Sequence, residues 1–139
     1  MKFYEFCGPL TIIVALATAA DAAPQTRTWL ACEGQKVITR GQGSESQTET
    51  QPAHNVFFIE EDIGNFYQYF ENTKQAGRQP VTFFSENMIA WDAPSYGRWT
   101  TQPSWSGQLD RKTMQLTMTH KEPGETIVWT QTCKPIPPR

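Results

Sequence analysis

Between Thr113 and His120 apolar and polar residues alternate strictly. Met114, Leu116, Met118 and His120 share one face, and Gln115, Thr117 and Thr119 share the other. Successive side chains of a strand point to opposite sides, so this segment demands a half-buried strand. The same period of two recurs in Arg27 to Gly34, where Leu30 and Cys32 are in phase, and in Thr126 to Lys134, where Ile127, Trp129 and Cys133 are. Lys36 to Gln42 reads as a further strand after a Glu-Gly-Gln turn. His54 to Glu60 and Asn65 to Glu71 form an aromatic hairpin around residues 61–64, which end in glycine. Pro80 to Phe84 and Asn87 to Ala93 form another, and Trp105 to Asp110 leads through Arg111 and Lys112 into the alternating strand. Glu122-Pro123-Gly124-Glu125 is a turn, with proline fixing φ and glycine admitting positive φ.

Three polar stretches separate these strands. Gly43 to Ala53 lacks an apolar anchor and reads as a solvated loop; Asn72 to Gln79 reads as a connection; Pro94 to Ser104, with two prolines, a glycine, Tyr96 and Trp99, reads as a loop. Only Asp62 to Gln75 shows apolar spacing that suits a helix. Its Phe-Tyr-Gln-Tyr-Phe run is β-favouring and glycine interrupts its start, so strand is the reading kept. The expected fold is all-β: a single antiparallel meander of eight or nine strands that closes as a small barrel, with its first and last strands adjacent.

The cysteines bear on that closure. Residues 1–22 have a basic start at Lys2, an apolar run from Leu10 to Ala20 and small residues at Ala20 and Ala22, the pattern of a secretory signal peptide. The apolar run is shorter than the ~20 residues that cross a bilayer. Cleavage is expected before Ala23, with Ala20 as the alternative point, and Cys7 leaves with the leader. Cys32 and Cys133 remain, which in an exported chain allows one disulfide. Closing a loop of about a hundred residues stabilises by roughly 4 to 5 kcal/mol in the chain-entropy account. The bond requires Cα atoms within about 7 Å, as in neighbouring first and last strands of a barrel. An immunoglobulin-like sandwich would instead bridge its second and sixth strands. A metal site would need more ligands than His54 and His120 supply, and a redox pair would show the cysteines two residues apart. Residues 23–134 then form the barrel domain, and 135–139 a proline-rich tail unable to join a ladder.

Of 12 basic and 14 acidic residues, Lys2, Glu5 and Asp21 belong to the leader, which leaves the mature chain at −1. No basic patch suits phosphates, so nucleic acid is not an expected partner, and no amphipathic stretch suggests membrane insertion. Export to a periplasm or the cell exterior, as a monomer, is the expectation.

The layout resembles the calycin group, which includes lipocalin-like barrels, in its topology. That group's glycine-x-tryptophan signature falls at Arg27-Thr28-Trp29, with arginine in the glycine position. Trp29, Cys32 and Gly34, the Leu109-Asp110-Arg111 hairpin and the final cysteine strand also resemble small exported bacterial proteins of unassigned function. The resemblance implies a barrel and a bacterial periplasm, and no reaction.

Candidate chemistry is sparse. Neither histidine has a supporting motif: His120 ends a strand, and His54 follows a polar loop. No nucleophile elbow, phosphate-cradling loop or zinc-ligand spacing occurs, so no cofactor or metal is expected. Glu60-Glu61-Asp62 lacks the spacing of a calcium loop and reads as a solvated turn, and Asp110-Arg111 as a local ion pair. Aromatic residues carry the one functional signal. Trp91, Tyr96, Trp99 and Trp105 cluster within fifteen residues, two of them in the loop 94–104. Exposed, they would stack on a small apolar or carbohydrate ligand; the competing reading puts Trp91 and Trp105 in the core. The leading expectation is a non-enzymatic binding module using this loop and the barrel mouth. A protein-interaction or inhibitor module of the bacterial envelope is second, and a hydrolase using Glu60 or Asp92 third.

Overall fold

The computed structural model describes residues 26–93 and 104–139. They form nine strands: β1 (Arg27–Arg40), β2 (Gln47–Glu60), β3 (Asn65–Phe70), β4 (Gln75–Arg78), β5 (Val81–Phe84), β6 (Met88–Ala93), β7 (Ser104–Asp110), β8 (Gln115–Glu122) and β9 (Glu125–Ile136). A single 3-10 turn, Gly43–Glu45, links β1 to β2. Among the described residues no helix is long and apolar enough to cross a membrane. The expected leader and most of the expected loop 94–104, with Tyr96 and Trp99, lie outside the described residues.

All nine strands belong to one antiparallel sheet, in the order β4-β3-β2-β1-β9-β8-β7-β6-β5. The first and last strands are neighbours, as the sequence requires. They pair in register from Trp29 opposite Ile136 to Arg40 opposite Glu125. Cys32 stands opposite Cys133, the two are disulfide-bonded, and their Cα atoms are 3.9 Å apart. The bond therefore lies at the centre of the sheet. Its two edges, β4 and β5, are consecutive in sequence and joined only by Gln79 and Pro80. The sheet curls into a half-barrel whose ladder is interrupted between them.

Side chains tie the two halves together across that interruption. Arg111, in the β7–β8 turn, donates to Glu61 in the β2–β3 turn (2.5 Å) and to the Ser85 carbonyl in the β5–β6 turn (3.0 Å). Its guanidinium also lies 5.7 Å from the Phe84 ring centre. At the other end of the strands, the Trp105 indole N–H donates to Gln79 Oε1 at 2.5 Å. Arg111 thus leaves its neighbour Asp110, and the expected local ion pair is not formed. Asp110 instead accepts from the backbone N–H of Lys112 and Thr113 at 2.8 and 3.0 Å, because a carboxylate at the start of a tight turn faces the turn's own amides.

Leu30, Cys32, Phe57, Ile59, Phe66, Ile89, Trp91, Leu109, Leu116, Met118 and Cys133 fill the concave face. A string of rings runs through it, Phe57–Phe66 at 5.0 Å, Phe66–Trp91 at 5.2 Å and Trp91–Trp105 at 6.4 Å, with Trp129 edge-on to Trp105. Trp91 lies flat over Gly107 of the adjacent strand, where an added Cβ would sit 2.0 Å from its ring. A smaller cluster covers the convex face: Trp29, Val56 and Phe58, with Tyr67, Tyr69 and Ile136 against them.

Four boundaries differ from the sequence reading, each for a stated reason. β1 runs through Glu33, Gly34 and Gln35 without turning. A Cβ at Gly34 would lie 2.1 Å from the Thr130 carbonyl oxygen, so the glycine permits close approach of β9 rather than a reversal. The polar stretch 47–53 is not a loop but the first half of β2, paired throughout with β1. It is polar because this half of the ribbon extends beyond the core. The connection 72–79 contains the short strand β4, held by β3. Finally, β9 continues through Pro135 to Ile136, although proline cannot donate to a ladder. β8 accompanies β9 only as far as Thr132. Cys133 N–H points toward β8, bonding the Met114 carbonyl, so Pro135 two residues on points the same way, past the end of β8. No donor is needed there.

Candidate functional site

Each of three strands places an amide where its apolar phase calls for a core residue. Asn55 precedes Phe57 and Ile59 on β2, Gln68 lies between Phe66 and Phe70 on β3, and Gln131 lies between Trp129 and Cys133 on β9. Strand register brings them side by side. Gln131, 1 % exposed, donates from Nε2 to the Cys32 carbonyl (3.0 Å). Asn55 Nδ2 donates to Gln131 Oε1 (3.0 Å), and Gln68 Nε2 donates to Asn55 Oδ1 (3.2 Å). A carbonyl can only accept, so the first bond fixes the orientation of every amide after it. The relay starts beside the disulfide and ends with Gln68 Oε1.

That end opens into a cleft of about 210 Å³ lined by Asn55, Gln68, Tyr69, Phe70 and Asn72, among others. The cleft follows from unequal strand lengths. β3 pairs with β2 only from Val56 to Glu60, whereas β2 extends back to Gln47. Beyond Val56, β2 has β1 on one side and, among the described residues, no strand on the other. Phe70, at the end of β3, is 45 % exposed, and its ring packs over Gly77, where an added Cβ would lie 3.3 Å from Cε2. At the rim Glu71 is paired with Arg139 (3.5 Å), and His54 Nδ1 lies 3.5 Å from Glu33.

A second cleft, of about 190 Å³, lies at the turn end of the half-barrel, with Leu30, Ile59, Leu109 and Met114 as its apolar walls. Arg111 lines it but is already engaged by Glu61 and Ser85.

The residues singled out in the sequence are dispersed. Trp91 is 1 % exposed and belongs to the core, Trp105 is half-buried in the string of rings, and Tyr96 and Trp99 lie outside the described residues. His120 borders the Trp105 ring at 6.2 Å. The acidic run is not uniformly solvated. Glu60 is buried beside Arg27 (3.4 Å), and Glu61 accepts from Arg111 and from Thr28 Oγ1 (3.0 Å). Hydrogen bonding to Glu60, and then burial, hold the Tyr67 phenol above its ordinary pKa. Asp92 is exposed on β6. Among the described residues no group of three or more His, Cys, Asp or Glu side chains is placed to hold a metal ion.

Sequence reasoning missed Asn55, Gln68 and Gln131. The available signal was the break in phase itself, an amide recurring at an inward position of three separate strands. No protein-family model, curated protein or solved structure matches the chain. The site's own chemistry therefore carries the functional argument.

Proposed function

We propose that this chain is an exported, non-enzymatic binding module that takes its ligand at the surface of the sheet rather than in a lumen. One observation carries the reading: an apolar cluster occupies most of the concave face, while a relay of orientation-fixed amides ends at an open cleft beside a half-exposed ring. Amides held at one orientation by a buried anchor are ordered before a ligand arrives, which lowers the entropic cost of binding. The leader pattern and the disulfide support export to an oxidising compartment, periplasmic or extracellular. The pairing of Glu60 with Arg27 and of Glu61 with Arg111 favours binding over carboxylate catalysis.

Native mass spectrometry of protein recovered from its own compartment tests this. A retained small-molecule adduct that dissociates on collisional activation is the expected result. Recovery of a stoichiometric protein partner, with no small adduct, would replace the reading with an interaction module. The unpaired outer edge of β5, with Phe83 51 % exposed, favours that second reading.

A further inference from the structure

The geometry points to a neutral carbohydrate as the ligand of the β2–β3 cleft, with one pyranose ring stacked on Phe70 and its hydroxyls read by the end of the amide relay. This rests on the binding-module reading and gives it a ligand class. Three features of the cleft converge on it.

The first is the platform. Phe70 cannot tuck into the sheet, because its ring already lies on Gly77, so it presents an apolar surface at the end of a strand. Such a ring on a rigid sheet matches the C–H face of a sugar. The second is the hydrogen-bonding pattern. The relay uses one N–H of each amide and leaves Gln68 Oε1 as an acceptor, with the second N–H of Asn55 and of Gln68 as donors. A sugar hydroxyl both donates and accepts, and so satisfies such a mixed set where a purely donating or accepting group would not. The third is charge. Glu71, the acidic side chain lining the cleft, is already paired with Arg139, and no lysine or arginine lines it, so nothing in the cleft calls for a charged ligand. At about 210 Å³ the cleft is smaller than the ~300–1,000 Å³ of a drug-sized site. It accommodates one ring of a longer glycan, whose remainder extends outward.

Amide-proton NMR of nitrogen-labelled mature protein, titrated with cellobiose, maltose and diacetylchitobiose, tests the inference. At least one disaccharide is expected to shift, saturably, the side-chain amides of Asn55 and Gln68 and the backbone amides of residues 69–72. Phe70→Ala and Gln68→Ala should each weaken that binding about tenfold or more, the loss of roughly one good contact. Phe83→Ala, which removes an exposed ring elsewhere, should leave it unchanged, and melting curves verify that each variant is folded. Titrations in which no disaccharide moves those signals would overturn the carbohydrate assignment, as would wild-type affinity in Phe70→Ala. If native mass spectrometry meanwhile shows an adduct of different chemistry, the binding module stands and only the ligand class falls.

Discussion

Gln131 shows how much one side chain can decide. It is buried between the Asn55 amide and the Cys32 carbonyl, and it sets the polarity of the whole relay. Replacing it with leucine leaves the Asn55 Nδ2 donor without its partner and removes the side-chain bond to the Cys32 carbonyl. Leaving a buried polar group unsatisfied costs about 1–3 kcal/mol, so urea denaturation should show Gln131→Leu destabilised by at least that order. Gln131→Glu should be worse at neutral pH, since an ionised carboxylate would oppose the Cys32 carbonyl, and should recover on mild acidification as the carboxyl gains a donor proton. Equal stability of wild type and both variants would show the relay to be incidental. Asp110 gives a second prediction at this scale. Hydrogen bonds from Thr113 and Lys112 N–H hold its carboxyl below the ordinary range. In the unfolded chain aspartate titrates near 3.9, so the folded group takes up its proton only at lower pH. Its contribution is therefore complete above that ordinary value and lost as pH falls through the folded pKa. A carbon-detected NMR titration should place the Asp110 midpoint below that of a free aspartate, and Asp110→Asn should reduce the acid dependence of stability.

Among the elements, β2 is the most exposed to misassembly. Backbone groups of its even-numbered residues face the open edge, since Glu60 O accepts from Gly64 N–H on the β3 side while Glu61 N–H donates to Thr26 O on the β1 side. Among the described residues Thr48, Thr50, Pro52 and His54 therefore line a free edge, and proline in its middle denies one donor to any strand added there. Pro52→Thr restores that donor. Light scattering at matched concentrations should then detect more self-association than in the wild type; unchanged monodispersity would mean that the edge is guarded otherwise. The same element explains one failure of sequence reading. Residues 47–53 alternate nothing, because neither face meets the core, so periodicity had no apolar signal to register. Pairing with β1 is a long-range fact, absent from the segment's own composition. The short β4 escaped notice for a related reason, its four residues being exposed or half-exposed.

At the scale of the molecule, the disulfide joins the two chain ends in the middle of the sheet. Each strand of that central pair carries core residues on the concave face and Trp29 or Ile136 on the convex one. Cys32→Ser with Cys133→Ser should lower unfolding free energy by about 4–5 kcal/mol in the chain-entropy account, a large share of the ~5–15 kcal/mol typical of a domain. Chemical denaturation of the double variant checks this. A loss well under ~1 kcal/mol would mean that β1–β9 pairing alone holds the ends together. The two clasps, Arg111 at the turns and Gln79 with Trp105 at the opposite end, do for the interruption between β4 and β5 what strand pairing does elsewhere.

The sequence by itself determined the all-β class, the hairpins around residues 61–64 and 85–86, and the adjacency of first and last strands. Alternation is a local property, and a single cysteine pair admits one connection. Only the tertiary structure decided where the sheet stays open, that Gly34 admits close approach of β9 rather than a turn, and that three amides distant in sequence join in one relay. Those outcomes depend on register between segments far apart in the chain, and register is fixed by which side chains pack together, a quantity no single segment contains.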